Sequence, residues 1–496
     1  MANLHIIPFI QSLTEGEVKI AEDHLQKSQP LFSEGASKES KEYLLFKFII
    51  SNKEKSITDE EILVHIDIKD LSHLKVHLYN KILESLTCDK YIQNSTLFNE
   101  NTRLIFRLKK KLLIFRILFH SQNQKKIEAI DHLLEEIITE AKENEIYDVL
   151  VEALRAKKYF KGIRSGADEF AKASAEIDLY EYANKALFAA TDSYYQLVMN
   201  QDFIRSLSEQ ELEKHLKSSI RQMKADFTKT QSQQINYYLH ILQFAAAEHE
   251  KNYKKAIDYC NKLIAILKTN KAVYREERMG LVYLNLSQFL SFTGKYKEAR
   301  NAIGNAQRFY PEKSFNYRIS KEQEFHIEFY DQKYEKAFIV LNSLFEHALA
   351  DTGEFRKSKF TYYHTCILFA SGKFKEALAL LNESLEIEKD KSRWNVSLRI
   401  LHIQLFIELN KIDEASNSLE SLRKYMERTG KNEEIKERDE VIVRFLREIE
   451  KNGFQYDPSN PAAAKMLEEL SDKKSAIAWE HYSPELIPFQ EWVLKK

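Results

Sequence analysis

Glycine and proline are scarce in this sequence, with 11 Gly and 7 Pro among 496 residues. Pro311 is the only proline between Pro30 and Pro458. Because proline interrupts helices and glycine weakens them, such a composition is typical of an almost purely α-helical protein. The shortage of glycine also disfavours the loops that hold phosphates in nucleotide-binding enzymes.

Cysteine is also rare, and its spacing is uninformative for metal or disulfide chemistry. Cys88, Cys260 and Cys366 lie far apart and form no CxxC motif, so neither a disulfide framework nor a structural zinc site is indicated. The first residues, MANLHIIPFIQSLTEGE, lack the basic and apolar regions of a signal peptide, and no long uncharged apolar run follows. We therefore expect a cytoplasmic protein without a membrane partner.

An excess of one charge is missing as well. The 74 basic and 75 acidic residues give a formal net charge of −1. Such a balance creates no global field that would attract nucleic acid, which the sequence therefore disfavours as a partner. The hydrophobic fraction of 44% is ordinary for a well-packed chain.

A short pattern recurs in the second half of the chain, as KNYKKA, GKYKEA, QKYEKA, GKFKEA and NKIDEA. Its alanines are separated by 43, 38, 40 and 38 residues, which is the period of a solenoid. Apolar residues follow each alanine at helical spacing, and another apolar-periodic stretch precedes each turn. The repeating unit is therefore a helical hairpin.

The turn residues of this unit have identifiable tasks. Gly294, Gly372 and Asn410 can adopt the left-handed backbone that ends a first helix. The aromatic or aliphatic residue two positions later can cover the open end of the hairpin. The alanine permits two helix axes to approach closely.

These residues resemble the tetratricopeptide repeat (TPR), whose 34-residue unit has a Gly, a Tyr and an Ala at the turn. Gly294, Tyr296, Ala299, Ala306 and Pro311 match that family's pattern. The resemblance covers roughly 230–450 and implies an all-α, right-handed superhelix of antiparallel helical hairpins. The repeat-structural residues that it assigns are Ala256, Gly294, Tyr296, Ala299, Pro311, Tyr334, Ala337, Gly372, Phe374, Ala377 and Ala415.

Four regions are predicted along the chain. Residues 1–100 form an N-terminal helical module, which resembles that of long, uncharacterised bacterial TPR-like proteins without a known activity. Residues 101–229 are expected to form degenerate helical hairpins, and 230–450 the TPR-like repeats. Residues 451–496, which contain Trp479 and Trp492, form either a cap or an extended tail.

The resemblance also implies a concave groove that is lined by the first helices of successive hairpins. Aromatic rings together with amide and imidazole groups suit a protein or peptide partner, while packing in the core is the alternative for some positions. Recurring Lys, Arg and Asn of a chaperone-tail clamp are missing from these positions. The groove residues assigned in this way are Tyr238, Gln288, His326, Tyr330, Tyr362, Phe369 and Gln404.

Three further patterns provide alternatives. His65, Asp67, Asp70, His73 and His77 could bind a metal, since His73 and His77 are one helical turn apart, although surface or packing roles are commoner. Residues 57–87 could form a DNA-binding helix-turn-helix of a peptide-sensing regulator, with Lys75 and Lys81 on its second helix. A basic run could meet an anionic partner or be a solvated helix face; its members are Arg103, Arg107, Lys109, Lys110, Lys111 and Arg116.

Motifs of nucleotide-binding and hydrolytic enzymes, such as GxGxxG, GxxxxGK[ST] and GxSxG, do not occur. We therefore expect a non-enzymatic interaction scaffold or adaptor that uses no cofactor and no metal. The sequence leaves the identity of the partner and the oligomeric state open.

Overall fold

A computed structural model describes residues 6–27, 40–66, 68, 70–87, 89–94, 98–120, 127–165, 167–349, 354–383, 394–429 and 437–495. Throughout these residues the secondary structure is helical, without a strand, so the predicted all-α class is confirmed. The chain divides into two compact units, Met1–Lys185 and Ala186–Lys496.

The N-terminal unit begins with a small helical core. Ile10, Phe46 and Leu78, from the first, third and fifth helices, are completely buried in it. Thr58 and Glu61 form the capping box that the sequence predicts for the fourth helix. The helices are α1 (Ile6–Ser12), α2 (Glu15–Lys27), α3 (Lys41–Ser51), α4 (Asp59–His65), α5 (Leu71–Leu86), α6 (Asp89–Asn94), α7 (Glu100–His120), α8 (Ile127–Glu143), α9 (Tyr147–Ser165) and α10 (Ala167–Tyr194), which crosses the unit boundary.

The C-terminal unit consists mainly of consecutive helical hairpins. From α13 to α24, each odd-numbered helix packs on the even-numbered helix after it, and most hairpins also pack on the next one. After a π-helical turn (Tyr195–Met199), the helices are α11 (Gln201–Ser206), α12 (Glu209–Thr230), α13 (Gln233–His249), α14 (Tyr253–Thr269), α15 (Glu276–Phe292), α16 (Tyr296–Gln307), α17 (Phe315–Tyr330), α18 (Tyr334–Leu349), α19 (Glu354–Ala370), α20 (Phe374–Glu383), α21 (Trp394–Glu408), α22 (Ile412–Thr429), α23 (Glu437–Glu450), α24 (Pro461–Ser471) and α25 (Phe489–Leu494). The predicted array of TPR-like helical hairpins is therefore present.

Five hairpin turns share one backbone geometry. The turn residue has a φ of 73° at Gly294, 75° at Gly372 and 56° at Asn410, and Lys251 and Gln332 adopt the same left-handed conformation. The next amide bonds back to the first helix, as Lys295 N–H does to the Leu290 carbonyl at 2.9 Å. This is the Schellman pattern, which ends a helix and reverses the chain at once.

The repeated alanines lie where the second helix of each hairpin packs most tightly. Ala256, Ala299, Ala337, Ala377 and Ala415 are all completely buried. At the neighbouring turns, Phe374 lies 5.3 Å from Phe369 and Tyr253 stacks on Phe289 at 6.1 Å between ring centroids. A small residue at the crossing and an aromatic ring over the turn thus set the shape of each hairpin.

Candidate functional site

The seven residues assigned to the groove all lie on first helices of hairpins, from α13 to α21. Gln288 and Tyr330 are partly buried, whereas the others have less than a tenth of their surface exposed. Two different causes account for this burial. Some of the residues are covered by the C-terminal end of the chain itself, and others by neighbouring helices.

The segment between α24 and α25 folds back onto the first helices, and we call residues 477–485 (IAWEHYSPE) the C-terminal finger. Arg438 of α23 binds both of its ends. Its Nη1 donates to the Ile477 carbonyl at 2.7 Å, while Nε and Nη2 donate to the two carboxylate oxygens of Glu485 at 2.7 and 2.8 Å. The side chains of Arg438 and Glu485 are only 9% and 11% exposed, so this bidentate ion pair is buried.

The tip of the finger reaches the beginning of the hairpin array. Glu480 forms an ion pair with Lys251 at 3.0 Å, in the turn that follows α13. His481 lies 4.6 Å from Phe292, and Tyr482 lies 4.5 Å from His326, measured between ring centroids. Tyr482 has a φ of 60°, a conformation that this aromatic residue adopts because its contacts hold it there.

Tyr330 and Tyr362 contact the body of the finger. The Tyr330 ring lies 5.7 Å from Trp479 and 5.5 Å from His481. Tyr362 Oη donates a hydrogen bond of 2.9 Å to the main-chain carbonyl of Pro484. Part of the finger is therefore held through its backbone, independently of its side chains.

Several polar atoms at this contact are buried without a hydrogen-bond partner among the described residues. Tyr482 Oη faces Ser291 and Gln323 but forms no hydrogen bond of good geometry with either. An unmatched buried polar atom costs about 1–3 kcal/mol, so the finger complements this surface in shape better than in hydrogen bonding. The atoms are Ser291 Oγ, Gln323 Nε2, His326 Nδ1, Tyr330 Oη and Tyr482 Oη.

Burial keeps both histidines at the contact neutral. Desolvation lowers the pKa of His326 to about 3 and that of His481 to about 4. Beside His326, the Glu322 carboxylate accepts a hydrogen bond from Tyr363 and forms an ion pair with Lys359. Burial alone would raise the pKa of Glu322, but the charge of Lys359 and the hydrogen bonds from Lys359 and Tyr363 outweigh it and lower that pKa.

The residues after the finger cover the last hairpins. Glu485 also accepts the Phe489 backbone N–H at 2.7 Å, at the start of α25. Phe489 packs on Phe445 of α23 at 5.6 Å, and Trp492 Nε1 donates to Glu408 at 2.6 Å. The region for which the sequence allows either a cap or an extended tail thus covers the end of the array and also part of its first-helix face.

The remaining groove residues have other surroundings. Tyr238 belongs to a group of tyrosines, with Tyr194 at 5.4 Å and Tyr237 at 5.4 Å. Phe369 packs on Phe374 inside its own hairpin, and Gln404 is buried on α21 with its Nε2 unmatched in the described structure. The structure thus brings His326, Tyr330 and Tyr362 together at the finger and places Tyr238 elsewhere.

The sequence does not indicate the other residues that bind or face the finger, namely Arg438, Ser291, Phe292 and Gln323. One available signal was the composition of the finger itself, which places Trp479, His481 and Tyr482 within four residues beside Pro484. Arg438 gives no such signal, because the sequence of α23 contains many charged residues, as that of a solvent-exposed helix does.

The histidine pattern does not assemble a recognisable metal site within the described residues, which contain no suitable group of three or more ligands. His73 and His77 lie 4.5 Å apart, whereas His65 packs on Phe48 at 4.7 Å. Asp70 accepts the His73 backbone N–H and caps α5 instead. Asp67 lies outside the described residues.

The basic run on α7 faces carboxylates of α8 and α9. Arg107 pairs with Glu140 at 2.6 Å, and Lys111 with Glu136 at 2.5 Å and Glu140 at 2.9 Å. Lys109 and Arg116 likewise have acidic partners. These pairs reduce the charge available to an anionic ligand, in agreement with a solvated helix face.

The helix-turn-helix alternative places Lys75 and Lys81 on α5, and both lysines have acidic partners. Lys75 is buried and paired with Asp59 of α4. Lys81 pairs with Glu42 of α3 at 3.1 Å. Because carboxylates already bind these ammonium groups, they are poorly placed to contact a DNA backbone.

Among the described helices, none combines the length and the apolar character needed to cross a bilayer. No protein-family model matches the sequence, and no curated protein does. Comparison with solved structures finds a signal transduction ATPase with numerous domains (STAND) protein with a tetratricopeptide repeat sensor, from Pyrococcus horikoshii. The two share 12% identity and a TM-score of 0.44, over 90% of this chain and 66% of that chain, just under two thirds of its length.

Proposed function

We propose that the C-terminal unit binds a partner protein, and that the first-helix face now covered by the finger accepts an extended segment of that partner. The observation that carries this proposal is the finger itself, a turn-containing loop of this chain that is already bound there. Tyr362 and Arg438 bind carbonyl groups of its main chain, at Pro484 and Ile477. These hydrogen bonds involve main-chain carbonyl groups and do not depend on which side chains the bound segment carries. Another segment can therefore make them.

The unmatched polar atoms beneath the finger support its replacement by a partner. Ser291, Gln323 and His326 are each less than a tenth exposed and retain unused hydrogen-bonding capacity. A segment that satisfies these groups gains free energy that the finger does not provide. In this proposal the finger occupies the face until such a partner arrives.

The proposed role is that of a non-enzymatic scaffold or adaptor in the cytoplasm. Burial raises the pKa of the Cys260 thiol to about 12 and raises that of Cys366 strongly. Both thiols therefore stay protonated and inaccessible, which favours binding over thiol-based catalysis.

The test is an exchange experiment on the full-length chain. A specific protease site is placed in the exposed turn at Lys473 and Lys474, the chain is cut after folding, and a fluorescent peptide of residues 475–496 is added. Incorporation of the peptide is followed by fluorescence polarisation, and folding by circular dichroism. A peptide carrying Trp479→Ser and Tyr482→Ser is the matched control.

We expect the intact-sequence peptide to exchange into the cut chain while the helices remain folded, and the control peptide to bind at least tenfold more weakly. If the cut segment never exchanges, or if its departure unfolds the unit, the finger is a permanent part of the fold. In either case the face is not a site for an incoming segment, and the proposal is wrong.

A further inference from the structure

A group of tyrosines surrounds two arginines at the beginning of the C-terminal unit, at residues that the finger does not contact. The guanidinium carbon of Arg278 lies 4.4 Å above the Tyr237 ring and 5.7 Å from that of Tyr238. Tyr194 lies 5.4 Å from Tyr238 and 5.5 Å from Tyr195. A continuous cluster of aromatic rings thus runs from the end of α10 to α13, where Arg278 of α15 packs on it.

The two arginines are bound by carbonyl and hydroxyl oxygens, and the charge of Glu277 acts on Arg275 without a direct contact. Arg278 donates to the Val273 carbonyl at 3.0 Å and to Tyr238 Oη at 3.3 Å, and Arg275 donates to the Tyr274 carbonyl. Within the described part of the chain, neither guanidinium forms an ion pair, although Glu276 and Glu277 are their neighbours in sequence. Both arginines are partly buried, and desolvation, followed by the charge of Arg278, lowers the pKa of Arg275 to about 10.

Two other arginines of the same unit, the partly buried Arg300 and the buried Arg438, differ in this respect. Arg300 binds Glu328 through two hydrogen bonds, at 2.7 and 2.9 Å, and also Asp331. Arg438 binds Glu485 in the same bidentate manner. Removing a guanidinium group from water without pairing it with an anion costs free energy. Binding of an external anion to Arg275 and Arg278 would therefore be favourable.

Large aromatic side chains beside the arginines remain open to solvent. Tyr195 is 58% exposed and Tyr274 is 40% exposed. Tyr195 also begins the π-helical turn, an uncommon backbone feature that often accompanies functional sites. Tyrosine and arginine are enriched among the residues that contribute most of the binding energy in protein interfaces.

We propose that Arg275 and Arg278, together with Tyr194, Tyr195, Tyr238 and Tyr274, form a second binding site, the arginine site. It takes an oxyanion, a phosphate monoester or a carboxylate, that a partner polypeptide presents next to an aromatic or other apolar group. The unused guanidinium N–H groups bind the oxyanion. The exposed tyrosine rings contact the apolar group.

Ligand-observed NMR with the full-length chain, its finger retained, tests this site. The probes are phenyl phosphate and benzoate, each an aromatic ring with an oxyanion, and benzyl alcohol as the neutral comparison. The double variant Arg275→Gln/Arg278→Gln removes both charges, and Arg308→Gln removes one exposed charge elsewhere in the unit. Because Arg278 also packs on Tyr237, the single variant Arg275→Gln tests the site with that packing intact, and circular dichroism checks folding.

We expect at least one oxyanion to bind more tightly than benzyl alcohol, and to lose at least tenfold in affinity in the double variant but not in Arg308→Gln. Tighter binding of phenyl phosphate identifies the phosphate monoester as the natural group, and equal or tighter binding of benzoate identifies the carboxylate. If neither oxyanion exceeds benzyl alcohol, or if folded Arg275→Gln and the double variant bind like the native chain, the proposal is overturned. This outcome does not depend on whether the finger can be replaced.

Discussion

The first helices of the repeated hairpins form one face of the C-terminal unit, and the two ends of this face present different surfaces. From the end of α15 to α23 the face is covered, and its arginine, Arg438, is buried against Glu485. Next to α13 and the start of α15, Tyr195 and Tyr274 are exposed, and Arg278 has no carboxylate partner in the described structure. The repeat thus produces the face of first helices, whereas contacts with residues distant in sequence determine which part of that face is covered.

The largest effect is expected when the finger loses its charged anchor. Arg438→Met leaves Glu485 buried without its cation and frees the Ile477 carbonyl. Breaking a buried pair in this way costs about 3–5 kcal/mol of unfolding free energy. Urea unfolding followed by circular dichroism measures the loss.

Arg444→Met is the matched control for this change, because Arg444 is an exposed residue on the same helix. It should alter the free energy of unfolding by less than about 0.5 kcal/mol. Equal destabilisation by the two variants would contradict the role given to Arg438.

Acid should release the finger from the covered end. An accessible histidine has a pKa of about 6.5, whereas His326 and His481 have values of about 3 and about 4 under the finger. When the finger is released, both histidines can therefore take up protons below pH ~6.5, whereas in the bound state they remain neutral. The histidines favour the bound state above that pH, and this contribution is lost as the pH falls towards 4.

Hydrogen exchange of residues 477–485 measures this release, which we expect to become easier by about 1–3 kcal/mol between pH 7 and pH 4.5. His481→Gln should flatten the pH dependence, because it removes one of the two groups that titrate. The same pH dependence in the variant would assign the effect to other groups.

A smaller effect is expected at the backbone contact of the covered end. Tyr362→Phe removes the hydrogen bond to the Pro484 carbonyl and should cost about 0.5–1.5 kcal/mol. Tyr283→Phe is its control, since Tyr283 stacks on Phe309 through its ring. Thermal unfolding of the two variants should separate them, and identical melting would argue against this hydrogen bond.

The smallest change in stability is expected at the open end. Tyr274→Ser removes an exposed ring and should change the free energy of unfolding by less than about 0.5 kcal/mol. The same variant should weaken phenyl phosphate binding severalfold, because the ring next to the arginines is gone. If phenyl phosphate binds this variant as tightly as the native chain, Tyr274 is not part of the arginine site. The expected difference in stability between the two ends would still stand.

Much of the repeat could be predicted because its signals are local. Gly294, Gly372 and Asn410 have the left-handed turns that the sequence indicates, and Thr58 begins the fourth helix through its capping box. Lys251 and Gln332 could not be predicted in that conformation. Their side chains give no preference for it, and packing of the flanking helices imposes it.

The groove positions show where local reasoning ends. His326, Tyr330 and Tyr362 were assigned to one surface through the repeat, and they do meet at one place. Their neighbour there, Tyr482, could not be inferred, since no periodic pattern connects it to α17 or α19. The same applies to Arg278, whose lack of a carboxylate partner becomes visible only when all its neighbours are known.

The helical hairpins, their order and most of their turns follow from local sequence, because helical spacing and turn conformation depend on residues only a few positions apart. Which part of the repeated face is covered and which is open follows instead from contacts between distant parts of the chain. The contact between Lys251 and Glu480 joins residues that are 229 positions apart, and that between Tyr362 and Pro484 joins residues 122 apart. Contacts at such separations depend on the positions of all the helices between them, and a local pattern does not encode those positions.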